Sequence, residues 1–202
     1  MHSVVRGGVD ALQCVQKAMG ILLIVLMSAL AASPKAWRGL ALAHSSPATA
    51  VQVLGQPEKD ETTKLQRVRL LSPLATWLGE DHKSDDFRIL TFEKLEDFKT
   101  VSLIFLKDEL AAIYLVPNST NRITGEDLKK TYADCEFDTI ANPYPMNSFL
   151  IGLSHDGEAR VAGTVKGLLR DKNLVGNVLA ICLADTAVFP AQKSAKVKPS
   201  LE

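Results

Sequence analysis

Val101–Leu106 (VSLIFL) and Leu110–Val116 (LAAIYLV) are two almost uninterrupted apolar runs, separated only by Lys107-Asp108-Glu109. Two such runs around a short polar break read as a β-hairpin. Nearly every side chain in them is apolar, so both faces of each strand need cover. That places the pair in the middle of a sheet and away from its edges.

The remaining strand signals are Gln66–Leu71, Phe87–Phe92, Ser148–Leu153, Glu158–Val165, Val178–Leu183 and Thr186–Phe189. Ser148–Leu153 and Glu158–Val165 flank Ser154-His155-Asp156-Gly157, where Asp-Gly supplies turn chemistry for a second hairpin. Helix signals are fewer. Ser45-Ser46-Pro47 opens a helix that runs to Leu54 and stops at Gly55 and Pro57. Ser72-Pro73 starts one or two turns through Leu78, and Thr124 with Asp127 has capping-box spacing before Gly125–Tyr132. Residues 58–64 and 93–99 read as charged connections, and residues 133–147, with Pro143 and Pro145, as an irregular boundary. The expected fold class is α+β: a mainly antiparallel sheet with three or four short helices, preceded by an N-terminal hydrophobic signal segment. The expected organisation is a leader (1–43), an α+β half with the central hairpin (44–133), a β-rich C-terminal half (134–192) and a disordered basic tail (193–202).

The leader is read from Ala18–Ala32 (AMGILLIVLMSALAA), fifteen uncharged residues following Arg6 and Lys17. As a helix it reaches about 22 Å, short of the ~30 Å hydrocarbon core of a bilayer. That length suits the apolar core of a secretory signal. Ala41-Leu42-Ala43 offers a cleavage site before His44, and Ala29-Leu30-Ala31 an earlier one. Retention of the run would make it a signal anchor and bring the chain into membrane contact.

The whole chain has a formal net charge of zero, with 23 basic and 23 acidic residues. The leader holds Arg6, Lys17, Lys35 and Arg38 against Asp10, which leaves 19 basic and 22 acidic residues beyond it. A slightly acidic domain lacks the surface that neutralises phosphates, so no nucleic-acid partner is expected. Beyond Cys14 in the leader, Cys135 and Cys182 remain. An even pair in an oxidising compartment is a disulfide candidate. The alternative is two buried reduced thiols, as the setting of Cys182 in VLAICLA suggests.

No catalytic constellation assembles from the residues. Ser154-His155-Asp156 has the residue types of a hydrolase triad, but three consecutive residues cannot form its hydrogen-bond series. Cys135 or Cys182 with His155 or His82 is a conceivable thiol–base pair without a local signature. Glu80, Asp81, His82, Asp85 and Asp86 lack the order of a calcium loop or zinc site, so no metal or cofactor is expected. Asn118-Ser119-Thr120 is an N-glycosylation acceptor sequence.

Ala48–Pro57 (ATAVQVLGQP), followed by Phe87–Phe92, Val101–Leu106 and Leu110–Val116, resembles the SmpA/OmlA (BamE-like) envelope proteins. In that family a short helix ends in a Leu-Gly-x-Pro turn before a three-stranded meander. The matching positions are Val53, Leu54, Gly55 and Pro57, then the turn at Lys107–Glu109. The lipid-attachment cysteine of the family is missing, and residues 124–202 have no counterpart. The resemblance, which spans about residues 48–116, implies a binding or scaffolding role in the envelope. The expected function is thus an exported non-enzymatic binding or scaffolding protein, secreted or periplasmic, whose partner is an unknown protein or envelope component. The alternatives are a small exported hydrolase or thiol enzyme and a membrane-anchored accessory subunit.

Overall fold

In the computed structural model, which describes residues 33–120, 122–140, 148–170 and 173–190, the central hairpin closes on Lys107 and Asp108, both at positive φ (51° and 64°). A two-residue turn with both φ values positive matches the right-handed twist of its flanking strands. The run Ala18–Ala32 and the tail 193–202 lie outside the described residues.

The strands are β1 (Ala36–Trp37), β2 (Leu40–Ala41), β3 (Lys59–Thr63), β4 (Phe87–Leu95), β5 (Phe98–Leu106), β6 (Glu109–Pro117), β7 (Cys135–Ile140), β8 (Ser148–Ser154), β9 (Ala159–Arg170) and β10 (Asn173–Asp185). β1 and β2 pair with each other, and the other eight form one sheet in the order β3-β4-β5-β6-β10-β9-β8-β7. Every neighbouring pair is antiparallel. Two four-stranded meanders thus meet at a single seam, β6 against β10, where Leu115 faces Ile181 and Ala112 faces Ala184. The two halves expected on either side of residue 133 share this sheet.

The expected α+β class with three or four helices is corrected: the fold is predominantly antiparallel β. Among the described residues two helices of any length form, α1 (Pro47–Leu54) and α3 (Gly125–Thr131), with α2 (Ser72–Ala75) a single turn. Their ends follow local chemistry. The Ser46 hydroxyl caps α1 by accepting from the Thr49 amide at 3.2 Å, and Thr124 and Asp127 form a reciprocal capping box on α3.

Several element expectations change too. Gln66–Leu71 is not a strand but two 3-10 turns, Leu65–Arg67 and Arg69–Leu71. Leu65, Val68, Leu71, Leu74 and Leu78 all pack on one side, and that spacing of three and four residues belongs to a helical path. Thr186–Phe189 is a turn. Charged residues 59–63 form an edge strand, where lysine and acidic side chains tolerate solvent and discourage further pairing.

Apolar segments cover both faces of the sheet. On one face Leu40, Leu42, Ala50, Leu128 and Tyr132 pack over Leu103, Ile113, Val161 and Ile181. On the other, Leu65, Leu74, Leu78 and Phe189 pack over Ile104, Tyr114, Ala162 and Cys182. α3 lies close to β9 because Gly163 has no side chain: a Cβ there would meet Leu128 at 2.6 Å.

Residues 35–43, placed in the leader by the sequence, are built into this domain. Leu40 is fully buried, and the Ala43 amide donates to the Leu110 carbonyl at 2.8 Å. Trp37 meets Phe98 edge-on at 5.8 Å, Arg38 pairs with Glu96, and Lys35 reaches Asp156 at 2.6 Å and Glu158 at 2.5 Å. Losing the buried Leu40 and Leu42 side chains costs about 2–5 kcal/mol each. A chain beginning at Ala32 is therefore expected to melt as a folded domain. One beginning at His44 should melt about 10 °C lower or more; equal thermal unfolding curves would refute this.

Candidate functional site

The two cysteines are free thiols, and the expected disulfide is corrected by geometry. Cys135 packs in one core cluster and Cys182 in the other, on opposite faces of the sheet. Their strands, β7 and β10, are separated by β8 and β9, about 14 Å at ~4.8 Å per strand. A disulfide needs Cα atoms within about 7 Å and converging side chains.

Neither thiol is prepared as a nucleophile. Burial, followed by the carboxylates of Asp134 and Asp156, pushes the Cys135 thiol up to about 11. Cys182 is pushed higher still by burial, which outweighs the nearby Arg160 cation. Two imidazoles are spent locally, and a third, His44, lines the larger of the concave sites. His155 Nδ1 lies 3.2 Å from Asp134 Oδ1, and His82 Nδ1 lies 2.9 Å from Asp85 Oδ2. The Ser154 hydroxyl donates to Asp156 at 2.7 Å and accepts from the Ala159 amide at 3.0 Å, so it stitches the β8–β9 turn. Among the described residues no cluster of His, Cys, Asp and Glu is arranged to hold a metal.

Among the described residues, Arg160 is the one buried charged side chain, at 5% exposure. Its guanidinium lies 4.4 Å over the Trp77 ring and donates to the Pro190 carbonyl at 3.3 Å, while Nε has no hydrogen-bond partner. Burial lowers its pKa, and no carboxylate opposes that shift. The Trp77 face offsets part of the desolvation cost.

Among the described residues, two of the concave sites have room for a small molecule. The larger, about 580 Å³, lies between the β1–β2 segment and the Asp185–Ala187 turn. Its cation, Lys35, is already held by Asp156 and Glu158, and His44, Asp185 and Thr186 complete its polar lining.

The second, about 450 Å³, lies at the end of the sheet where β6 finishes, and is lined by Lys99, Val116, Pro117, Arg122, Asn177 and Leu179 among others. Two β-bulges build it. In β5, Phe98 faces Pro117 and Thr100 faces Val116, so Lys99 is the extra residue. In β10, Val178 faces Val165 and Ala180 faces Thr164, so Leu179 is the extra residue. A bulge breaks side-chain alternation and re-aims one residue. Here Phe98 and Val178 turn into the core while Lys99 and Leu179 are left at the pocket. Neither Lys99 nor Arg122 has an ion-pair or hydrogen-bond partner among the described residues. Asn118, the acceptor of the glycosylation sequence, also lines the pocket, and its side-chain amide donates to the Glu96 carbonyl at 2.5 Å. Among the described residues no thiol, imidazole or carboxylate lines it.

The sequence did not single out Lys99, Arg122 or Leu179. Val178 to Cys182 are all apolar, which hides the break in alternation at Leu179. Lys99 sits in a stretch with enough charge to read as a connection.

No family model matches the chain, and no curated protein sequence matches it. A solved structure to which it is similar is a cysteine-rich secretory protein from Staphylococcus aureus subsp. aureus Mu50, at 10% identity and a TM-score of 0.39. The match covers 78% of this chain and 48% of that one, so the chain spans about half the length of that protein. A likeness at this level specifies neither fold nor function. No helix among the described residues is long and apolar enough to cross a membrane.

The thiol environments give a pH prediction. Cys135 is raised to about 11 by burial, and Tyr114 and Tyr132 to about 12 by the same cause. Each group keeps its proton longer folded than unfolded. The stability they contribute is full below the unfolded thiol value near 8.5, and is lost as pH climbs through 11 and 12. The melting temperature should hold to about pH 8.5 and then fall. At pH 7.5 both thiols should resist alkylation in the native protein and react on unfolding without reductant. Rapid native labelling of either would contradict the structure.

Arg160 gives a second. Replacing a buried cation that lacks a carboxylate with an apolar side chain of similar length is often neutral or stabilising. Arg160→Met should keep or raise the melting temperature, and Trp77→Ala should lower it. A large loss in Arg160→Met would mean the charge is needed.

Proposed function

We propose that this chain is an exported, non-enzymatic binding or scaffolding protein of the cell envelope or extracellular space. The observation that carries the non-enzymatic part is a separation of chemistry from access. The thiols are buried and protonated, the imidazoles of His82 and His155 are tied to neighbouring carboxylates, and the bulge-built pocket offers only cations, amides, a hydroxyl and apolar surface. The larger site holds the His44 imidazole, but its Thr186 hydroxyl is spent on the Gly157 carbonyl. A hydrolase or thiol enzyme needs a nucleophile and base within hydrogen-bond reach of one open site.

Export rests on the Ala18–Ala32 run with its preceding basic residues. The burial of Leu40 and Leu42 favours processing after Ala31 over processing after Ala43, because only the first leaves the β1–β2 segment with the domain. The likeness of Ala48–Pro57 and the following strands to the SmpA/OmlA envelope proteins supports the same class of role.

The test is the intact mass of the protein recovered from the envelope or medium of its own host, together with turnover of a simple ester such as p-nitrophenyl acetate. The expected result is a chain starting at Ala32, with no turnover sensitive to His155→Ala or Cys135→Ala. Retained residues 1–31 with detergent-dependent extraction would replace this reading with a membrane-anchored subunit. Turnover abolished by either substitution would replace it with an enzyme.

A further inference from the structure

Leu179 is 41% exposed, although it belongs to a strand whose neighbours Val178 and Ala180 are buried. A structural bulge has no need of an apolar residue at its solvent side, where a polar one would be better hydrated. The same end of the sheet carries Lys99 and Arg122, two exposed cations without partners among the described residues. They share one pocket with Leu179, Val116 and Pro117. Seven of the other cations, Lys35, Arg38, Lys59, Lys64, Lys83, Arg88 and Lys129, each pair with a carboxylate. What sets this end of the sheet apart is that two unpaired cations and an exposed apolar side chain line one concavity.

Each part of the pocket selects one part of a ligand. The Arg122 guanidinium is a planar fork that suits the paired oxygens of a carboxylate or phosphate, and Lys99 adds a second positive charge. Leu179, Val116 and Pro117 form an apolar wall that an inorganic ion would leave exposed to water. The Asn177 side-chain amide, at the rim, adds a donor and an acceptor. A volume of about 450 Å³ lies within the size range of small-molecule sites.

We infer that the Lys99–Arg122–Leu179 pocket binds a small organic oxyanion, a carboxylate or phosphate head on a compact apolar body. This deepens the binding reading above and rests on it.

The test is isothermal titration of the full-length chain with phenyl phosphate, phenylacetate, inorganic phosphate and phenethylamine. At least one of the two organic anions should bind saturably at one site. Inorganic phosphate should bind at least tenfold more weakly, because it cannot use the apolar wall. Phenethylamine, with the same apolar body and the opposite charge, should not bind. Lys99→Gln with Arg122→Gln should weaken the organic anion at least tenfold, with the melting temperature unchanged because both side chains are exposed. Leu179→Ser should weaken the organic anion several-fold and leave the weak phosphate binding as it was. The inference is overturned if neither organic anion binds, if the double variant binds as well as the parent, or if phenethylamine binds equally. Any of these, found with a chain starting at Ala32 and no ester turnover, would remove the oxyanion site and leave the exported binding role standing.

Discussion

The ladder between β6 and β10 is the constraint on which the rest of the molecule depends. It is the one strand pairing that joins residues 112–115 to residues 181–184, and it turns two separate meanders into one eight-stranded sheet. Closing so long a loop costs chain entropy before any contact repays it. The seam is correspondingly apolar, with Ile113, Leu115, Ile181 and Leu183 on one face and Ala112, Tyr114, Cys182 and Ala184 on the other. Small residues on that second face leave room for the Leu65–Leu78 segment to lie across the sheet. Cys182 is therefore a packing residue at the join of the two halves, and its thiol is the least accessible in the domain.

The same seam explains where the pocket is. β6 ends at Pro117, and the chain then crosses by α3 to the far edge, while β10 continues past it. The chain thus leaves a corner where β5 and β6 end together at the Phe98–Pro117 pair and β10 runs on. The two bulges fall at that corner, turning Phe98 and Val178 inward and leaving Lys99 and Leu179 outside. Fold and candidate site meet there, with one extra residue in the β5–β6 ladder and one in the β10–β9 ladder.

What the sequence made legible was local. The apolar arms of the central hairpin, the Ser46 cap and the Thr124–Asp127 capping box are written within a few residues of the structure they produce. The misread parts depend on distant partners. Lys59–Thr63 has no strand-like pattern of its own and becomes a strand by pairing with β4. Gln66–Leu71 alternates over six residues, but its neighbours Leu65, Leu74 and Leu78 bind it into a helical path. Cys135 and Cys182 looked like a pair because sequence carries their number and spacing but not the sheet face each occupies. Lys99 and Leu179 were invisible for the same reason, since a bulge is a property of two strands in register.

The Lys35 contacts with Asp156 and Glu158 have a consequence for the order of events during synthesis. A chain emerges N-terminus first, and the first described turn of this domain finds its ionic partners more than a hundred residues later. Leu40 and Leu42 likewise wait for β5 and β6, and β6 waits for β10. A fragment that ends before β8 leaves Lys35 without Asp156 and Glu158, and one that ends before β10 leaves the outer edge of β6 unpaired. The complete sheet therefore closes last at the strand that the ribosome delivers last.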